Sequence, residues 1–238
     1  MVACHAMPVV RMLPLFVGCG MQDGRARASL SRQQQAVRMA VSSSTDASAS
    51  TAAASLLKEV LKTERSLEAI DGFVRELENI GLPPKAGKLK RTLSQAWKME
   101  YASDDQSIQP FMTGPTGPLT VLEGIIHSIR ETGEFETVEV KRAIGPFGNT
   151  KASLCGRWSQ TDGVMRWRPS YMINGRGREV DPPGEAASVN EARISHLSTS
   201  CMLLRIPADG ASDRGLLVFS PVSLKEALSE LKVDDDDA

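Results

Sequence analysis

Residues 152–173 read ASLCGRWSQTDGVMRWRPSYMI, and the alternation within this stretch decides the fold. Ala152, Leu154, Gly156 and Trp158 fall on every second position, and beyond Asp162-Gly163 so do Met165, Trp167, Pro169, Tyr171 and Ile173. Side chains two apart share one face of a strand, and Asp-Gly favours the tight turn that joins antiparallel neighbours. The stretch therefore reads as a β-hairpin with one aromatic face. Arg166 and Arg168 flank Trp167 and belong to the opposite face.

The same period continues on both sides. Trp97-Lys98-Met99-Glu100-Tyr101 alternates apolar with polar. Leu119 to Ile129, interrupted by Gly124, reads as a bent strand or a short helix. Phe135 to Ile144, Ala192 to Leu197, Met202 to Ile206 and Leu216 to Phe219 complete the series, punctuated by Gly/Pro turns such as Thr113 to Pro118 and Gly145 to Asn149. Eight or nine short strands between turns predict an antiparallel barrel or sandwich over residues 85–222.

Ahead of it the period is helical. From Ser55 to Ile80 the apolar residues recur at steps of three and four, with Lys, Arg and Glu between them. This predicts one amphipathic helix within residues 55–84, capped by Ser55 and stopped by Gly81 and Pro83-Pro84. Residues 223–238 read as a short helix, Ser223 to Leu231, and an acidic tail whose Asp234 to Asp237 run is expected to be solvated.

Residues 1–39 hold five arginines and one acid, Asp23, and residues 40–54 form a Ser/Ala-rich linker. An Arg- and Ser-rich, acid-poor leader is the signature of an organelle transit peptide, with cleavage expected between Met39 and Ser55. Without it Lys plus Arg falls from 28 to 23 and Asp plus Glu from 29 to 28, leaving a net charge of about −5. That balance argues against a nucleic-acid partner and against docking on an anionic membrane by charge alone.

Signatures of chemistry are missing from the sequence. It has no Gly-x-Ser-x-Gly elbow, phosphate-binding loop or His-Glu-x-x-His, and Gly175-Arg-Gly177 lacks the third glycine of a dinucleotide fingerprint. Cys155 and Cys201 lie too far apart in sequence for zinc-ligand spacing and read as buried thiols, with a redox pair as the sharper alternative. His127, sharing a strand face with Ile125 and Ile129, reads as a core or cavity histidine. No enzyme, metal or cofactor is expected. Trp97, Tyr101, Trp158 and Trp167 are either the barrel core or the lining of a pocket for an apolar ligand. Gly156, on the Trp158 face, would leave room for that ligand, with Arg205 as a polar anchor or the partner in a surface ion pair.

Two short motifs carry a resemblance. Trp97-Lys-Met-Glu-Tyr101-Ala-Ser103 after a helical lead-in, and Leu204-Arg205-Ile206 followed by Gly215-Leu-Leu-Val-Phe219, are similar in order and spacing to the plastid lipid-associated protein (fibrillin) family. The resemblance spans about residues 55–220. The chain departs from it at Ser198-Thr-Ser-Cys201, where members often carry acids. The resemblance implies a lipocalin-like barrel in the plastid, associated with thylakoids or plastoglobules. Its expected partners are an apolar lipid, quinone or carotenoid, the thylakoid surface, or photosystem and antenna proteins that the barrel would serve as a scaffold.

Overall fold

The computed structural model describes residues 47–231 apart from 84–85, 115–116, 145–147, 185–186 and 208–212. The leader, the start of the linker and the aspartate run lie outside the described residues. The strands are β1 (Ala96–Ala102), β2 (Thr120–Ile129), β3 (Glu134–Ala143), β4 (Asn149–Thr161), β5 (Val164–Ile173), β6 (Glu179–Val180), β7 (Asn190–Leu197), β8 (Met202–Pro207) and β9 (Asp213–Val222). Their order is β4-β3-β2-β1-β9-β8-β7-β5-β6, every pairing is antiparallel, and β4 also pairs with β5. That last pairing closes eight strands into a lipocalin-like barrel, with β6 appended to the end of β5. The expected hairpin over 152–173 is the seam of closure: Trp158 lies opposite Trp167, and Asp162 and Gly163 both take positive φ at the turn. Leu119 to Ile129 is the bent strand of the two options, its register shifting between Leu122 and Gly124.

The helical lead-in differs from the sequence expectation. A first helix, α1, runs over residues 47–60 and a second, α2, over Leu67–Ile80. Ser55 thus lies inside a helix that starts within the Ser/Ala stretch, and the expected single helix is two. The break has a local cause. The Glu59 carboxylate accepts from Lys62 Nζ at 2.5 Å and from the Ser66 amide at 3.0 Å, and Ser66 Oγ in turn accepts from the Ala69 amide. A satisfied turn followed by a serine N-cap ends one helix and starts the next. A third helix, α3 (Ala86–Leu93), falls where only extended chain was expected, and a short α4 (Asp105–Ile108) with a 3₁₀ turn (Gln109–Phe111) links β1 to β2. The last helix, α5 (Leu224–Glu230), lies within the expected terminal one.

Three apolar clusters follow from this arrangement. Inside the barrel, Trp97, Trp158, Trp167, Phe135, Phe219, Met165, Met202 and Ile194 pack together. Leu89 and Leu93 of α3 join them from the end where β1 starts, and Phe111 and Met112 from the end where it finishes. On the outer face, Leu56, Val60, Ile70, Val74 and Leu77 of α1 and α2 cover Cys201, Leu203, Leu216 and Val218. Ala227 of α5 covers Ile126, Val138 and Val140, and the Leu231 side chain lies over Gly124, where a Cβ would meet it at 3.1 Å. Among the described residues no helix is long and apolar enough to cross a membrane.

Candidate functional site

The structure divides the five residues singled out as a candidate pocket. Trp97, Trp158 and Trp167 enter one packed core, and each indole N–H is spent on a backbone carbonyl: Leu93 at 2.9 Å, Arg130 at 2.9 Å and Pro110 at 3.4 Å. A buried indole that has found its acceptor is a structural group. Phe111 packs in the same core, its ring centroid 4.9 Å from Trp167 and 5.8 Å from Phe219.

Tyr101 and Arg205 lie elsewhere. The register shift between Met99 and Tyr101 inserts one residue, so Met99 stays with the interior while Tyr101 turns to the outer cluster beneath α1 and α2. A bulge breaks strict alternation, which is why counting by twos misplaced it. There the Arg65 guanidinium stands 5.8 Å from the Tyr101 ring. Arg205 forms an ion pair with Glu78 of α2, Nε to Oε1 at 2.9 Å, and so takes the second of its two expected roles.

Tyr171 is displaced likewise by the bulge at Cys155/Gly156, which leaves it 37 % exposed in an outer groove with Cys155. The room expected at Gly156 is taken: a Cβ there would overlap the Arg168 carbonyl oxygen and come within 2.8 Å of Pro169 Cα. The glycine admits the neighbouring strand and opens no space for a ligand.

His127 is the core histidine its strand face indicated. It is fully buried, with Nδ1 2.7 Å from Thr137 Oγ1, among Phe111, Phe135 and Trp167. Burial pulls its pKa down to about 3, so the ring is neutral at ordinary pH. Its Nε2 meets no polar partner among the described residues. Cys155 and Cys201 are free and buried. Burial raises both thiols, Cys201 to about 12, which suppresses the thiolate that nucleophilic or redox chemistry requires. Glu139, buried at the other end of the strand from Phe135, accepts from the amide and hydroxyl of Thr113 and pairs with Lys141 Nζ at 2.9 Å, tethering the Gly/Pro loop. Among the described residues no three His, Cys, Asp or Glu side chains are placed to hold a metal ion.

A cavity of about 530 Å³ opens on the outside of the wall, between the C-terminal end of α2, the β4–β5 turn and strands β7 and β8. Glu78, Leu82, Asp162, Arg193, Ser195 and Arg205 line it. Burial alone would push the Glu78 carboxyl up, but hydrogen bonding from Arg205 and the charges of Arg205 and Arg193 hold it below its usual range. Sequence reading placed Glu78 on the solvent face of a helix and Asp162 in a turn, and passed over Arg193 and Ser195. The partners come from elements more than a hundred residues apart, a proximity that no local pattern carries. No family model matches the chain, and no curated protein is significantly similar to it.

Proposed function

We propose that this chain is a non-catalytic structural protein of the plastid, a fibrillin-like scaffold that docks on thylakoid photosystem or antenna complexes. The observation that carries this reading is the occupied interior. Small barrels either hold a guest or pack solid. Here α3 and the 3₁₀ turn send side chains in from opposite ends, and all three indole N–H groups are satisfied by backbone carbonyls. The neutral buried histidine and the suppressed thiols support a non-catalytic role.

An outward apolar patch supports docking. Leu119 and Ile144, hydrogen-bonded through their backbones, are 68 % and 60 % exposed, and Val121 follows on the face of Leu119. Beside them Arg142 pairs with Glu123 at 2.7 Å. An apolar centre with paired charges at its border is how protein interfaces are built. Plastid targeting is the expectation from the arginine-rich leader and the fibrillin resemblance.

The second reading, an apolar quinone, carotenoid or lipid held inside the barrel, draws on the unpartnered His127 Nε2 in its aromatic surround. Titration of the purified protein with plastoquinone and with carotenoid, followed by tryptophan emission, separates the two. A flat titration, with the protein recovered in photosystem or antenna complexes from gently solubilised thylakoids, is the expected result. Saturable quenching that weakens in Trp158→Leu or Trp167→Leu would overturn the scaffold in favour of the binding reading.

A further inference from the structure

A slot on the outer wall, over β3 and β4, shares no lining residue with the cavity beside α2. Val138, Ser153 and Ile173 make its floor, one cross-strand row across β3, β4 and β5. One wall is α5, whose Leu224 and Leu228 stand four apart on one helix face. The other is the turn between β5 and β6, where Gly175 and Gly177 border the slot without side chains. That turn is fixed in place. The Asn174 carbonyl accepts from the Gly177 amide at 2.9 Å, and Asn174 Oδ1 accepts from the Arg176 and Arg178 amides at 2.9 and 3.1 Å. The volume between these walls is about 300 Å³.

One charge at this slot is uncommitted. The next outward row along the strands, about 7 Å from the Val138 row, is Glu136, Cys155 and Tyr171. Glu136 is half-buried, borders the slot, and forms no hydrogen bond or ion pair with another described residue. Its polar neighbours there are engaged: Asn149 Nδ2 donates to the Leu231 carbonyl, Thr150 Oγ1 donates to the Lys141 carbonyl, and Lys151 has an interaction of its own. Arg130 and Arg157 lie beyond Glu136, in the groove with Tyr171, and Glu134 faces them both. It pairs with Arg130 at 3.7 Å and is the direct cross-strand partner of Arg157. The Tyr171 hydroxyl is held above its usual range by Cys155 first, then by burial and by the charges of Glu179 and Glu136, so two carboxylates act on this row.

We infer that this slot binds a small amphiphilic amine, its apolar body between Leu224, Leu228 and Ile173 and its ammonium on the Glu136 carboxylate. Concave, mostly apolar sites orient small ligands by a few well-placed polar groups. A neutral apolar guest would take Glu136 out of water with no partner, and a carboxylate guest would bring a like charge beside it. An ammonium instead forms a charge-assisted hydrogen bond there. The inference is independent of the scaffold reading, since the patch of Leu119, Val121 and Ile144 shares no residue with the slot.

Calorimetric titration of the full chain with octylamine, octanol and octanoate, at neutral pH and fixed ionic strength, tests it. The three probes share a tail and differ in head group. Octylamine is expected to bind about tenfold tighter than octanol, with octanoate weakest. Glu136→Gln, which keeps the shape of the side chain, is expected to bring octylamine down to the affinity of octanol and leave octanol unchanged. Leu228→Ala is expected to weaken octylamine and octanol alike.

The place of binding is read from amide resonances. Those of Gly175, Gly177 and Leu228 are expected to move as octylamine is added. Movement confined to Leu119, Val121 and Ile144 would put the amine on the docking patch and overturn the assignment. A flat octylamine titration of the folded protein, equal affinity for octylamine and octanol, or an unchanged preference in Glu136→Gln would each overturn it as well.

Discussion

Inside the barrel wall, aromatic rings meet one another, and every tryptophan N–H is given to a carbonyl of the connecting chain. Outside it, aliphatic clusters under α1, α2 and α5 alternate with ion pairs and with a cleft whose charges come from four separate elements. The two faces teach different things about one sequence. The interior uses the tryptophans for closure and has no unspent donor among them. The exterior keeps polar side chains facing open space, and it is there that recognition has material to work with. Aromatic richness therefore marks the mechanical half of this molecule, and modest charged residues mark the half that can respond to a partner.

The comparison breaks most severely if the interior tolerates a hole. Trp97→Ala removes a fully buried ring together with its bond to α3 and is expected to cost roughly 3–5 kcal/mol in urea unfolding. A loss near zero would mean that the interior has slack. Next comes Gly156→Ala, which drives a methyl group into the β5 backbone and is expected to cost about 1–3 kcal/mol. A neutral result would restore the room once expected beside Trp158.

Acid titration sharpens the contrast. The folded-state pKa of His127, about 3, lies below its ordinary 6.5, so the unfolded chain binds the extra proton between those values. Its contribution is complete above about pH 6.5 and falls away as pH drops toward 3, with a slope of up to about 1.4 kcal/mol per pH unit. His127→Gln is expected to flatten that part of the stability–pH curve, and an unchanged slope would place the acid sensitivity elsewhere. His196, also lowered by burial although hydrogen bonding to Leu77 opposes it, contributes in the same direction. The smallest effect is on the outer patch. Leu119→Ser is expected to change stability by less than about 0.5 kcal/mol while reducing recovery with thylakoid complexes.

Much of this fold was legible in the order of residues because alternation is a local signal. The hairpin at 152–173 and the strand at Trp97 could be read directly, whereas Leu119 to Ile129, with Gly124 inside it, left a bent strand and a short helix both open until pairing with β3 decided for the strand. Legibility failed at bulges: Tyr101 and Tyr171 each follow an inserted residue that reverses the face, and nothing in the composition of those strands announces it. It failed at α3, eight residues whose lysines and arginine mask Leu89 and Leu93. It failed again at Leu61 to Ser66, where hydrogen bonds to Glu59 end a helix whose apolar rhythm runs on. Of the candidate site, Arg205 was visible but its partner was not, since Glu78 reaches it only after α2 docks on β7.

The three tryptophan bonds have a practical consequence. Each indole reports on a different closure: Trp97 on the α3 plug, Trp158 on the turn before β3, and Trp167 on the 3₁₀ segment at the far end. Replacing all three with 5-fluorotryptophan would place one fluorine resonance at each of these closures. As denaturant rises, the resonance that shifts first would show which end of the barrel lets go before the rest.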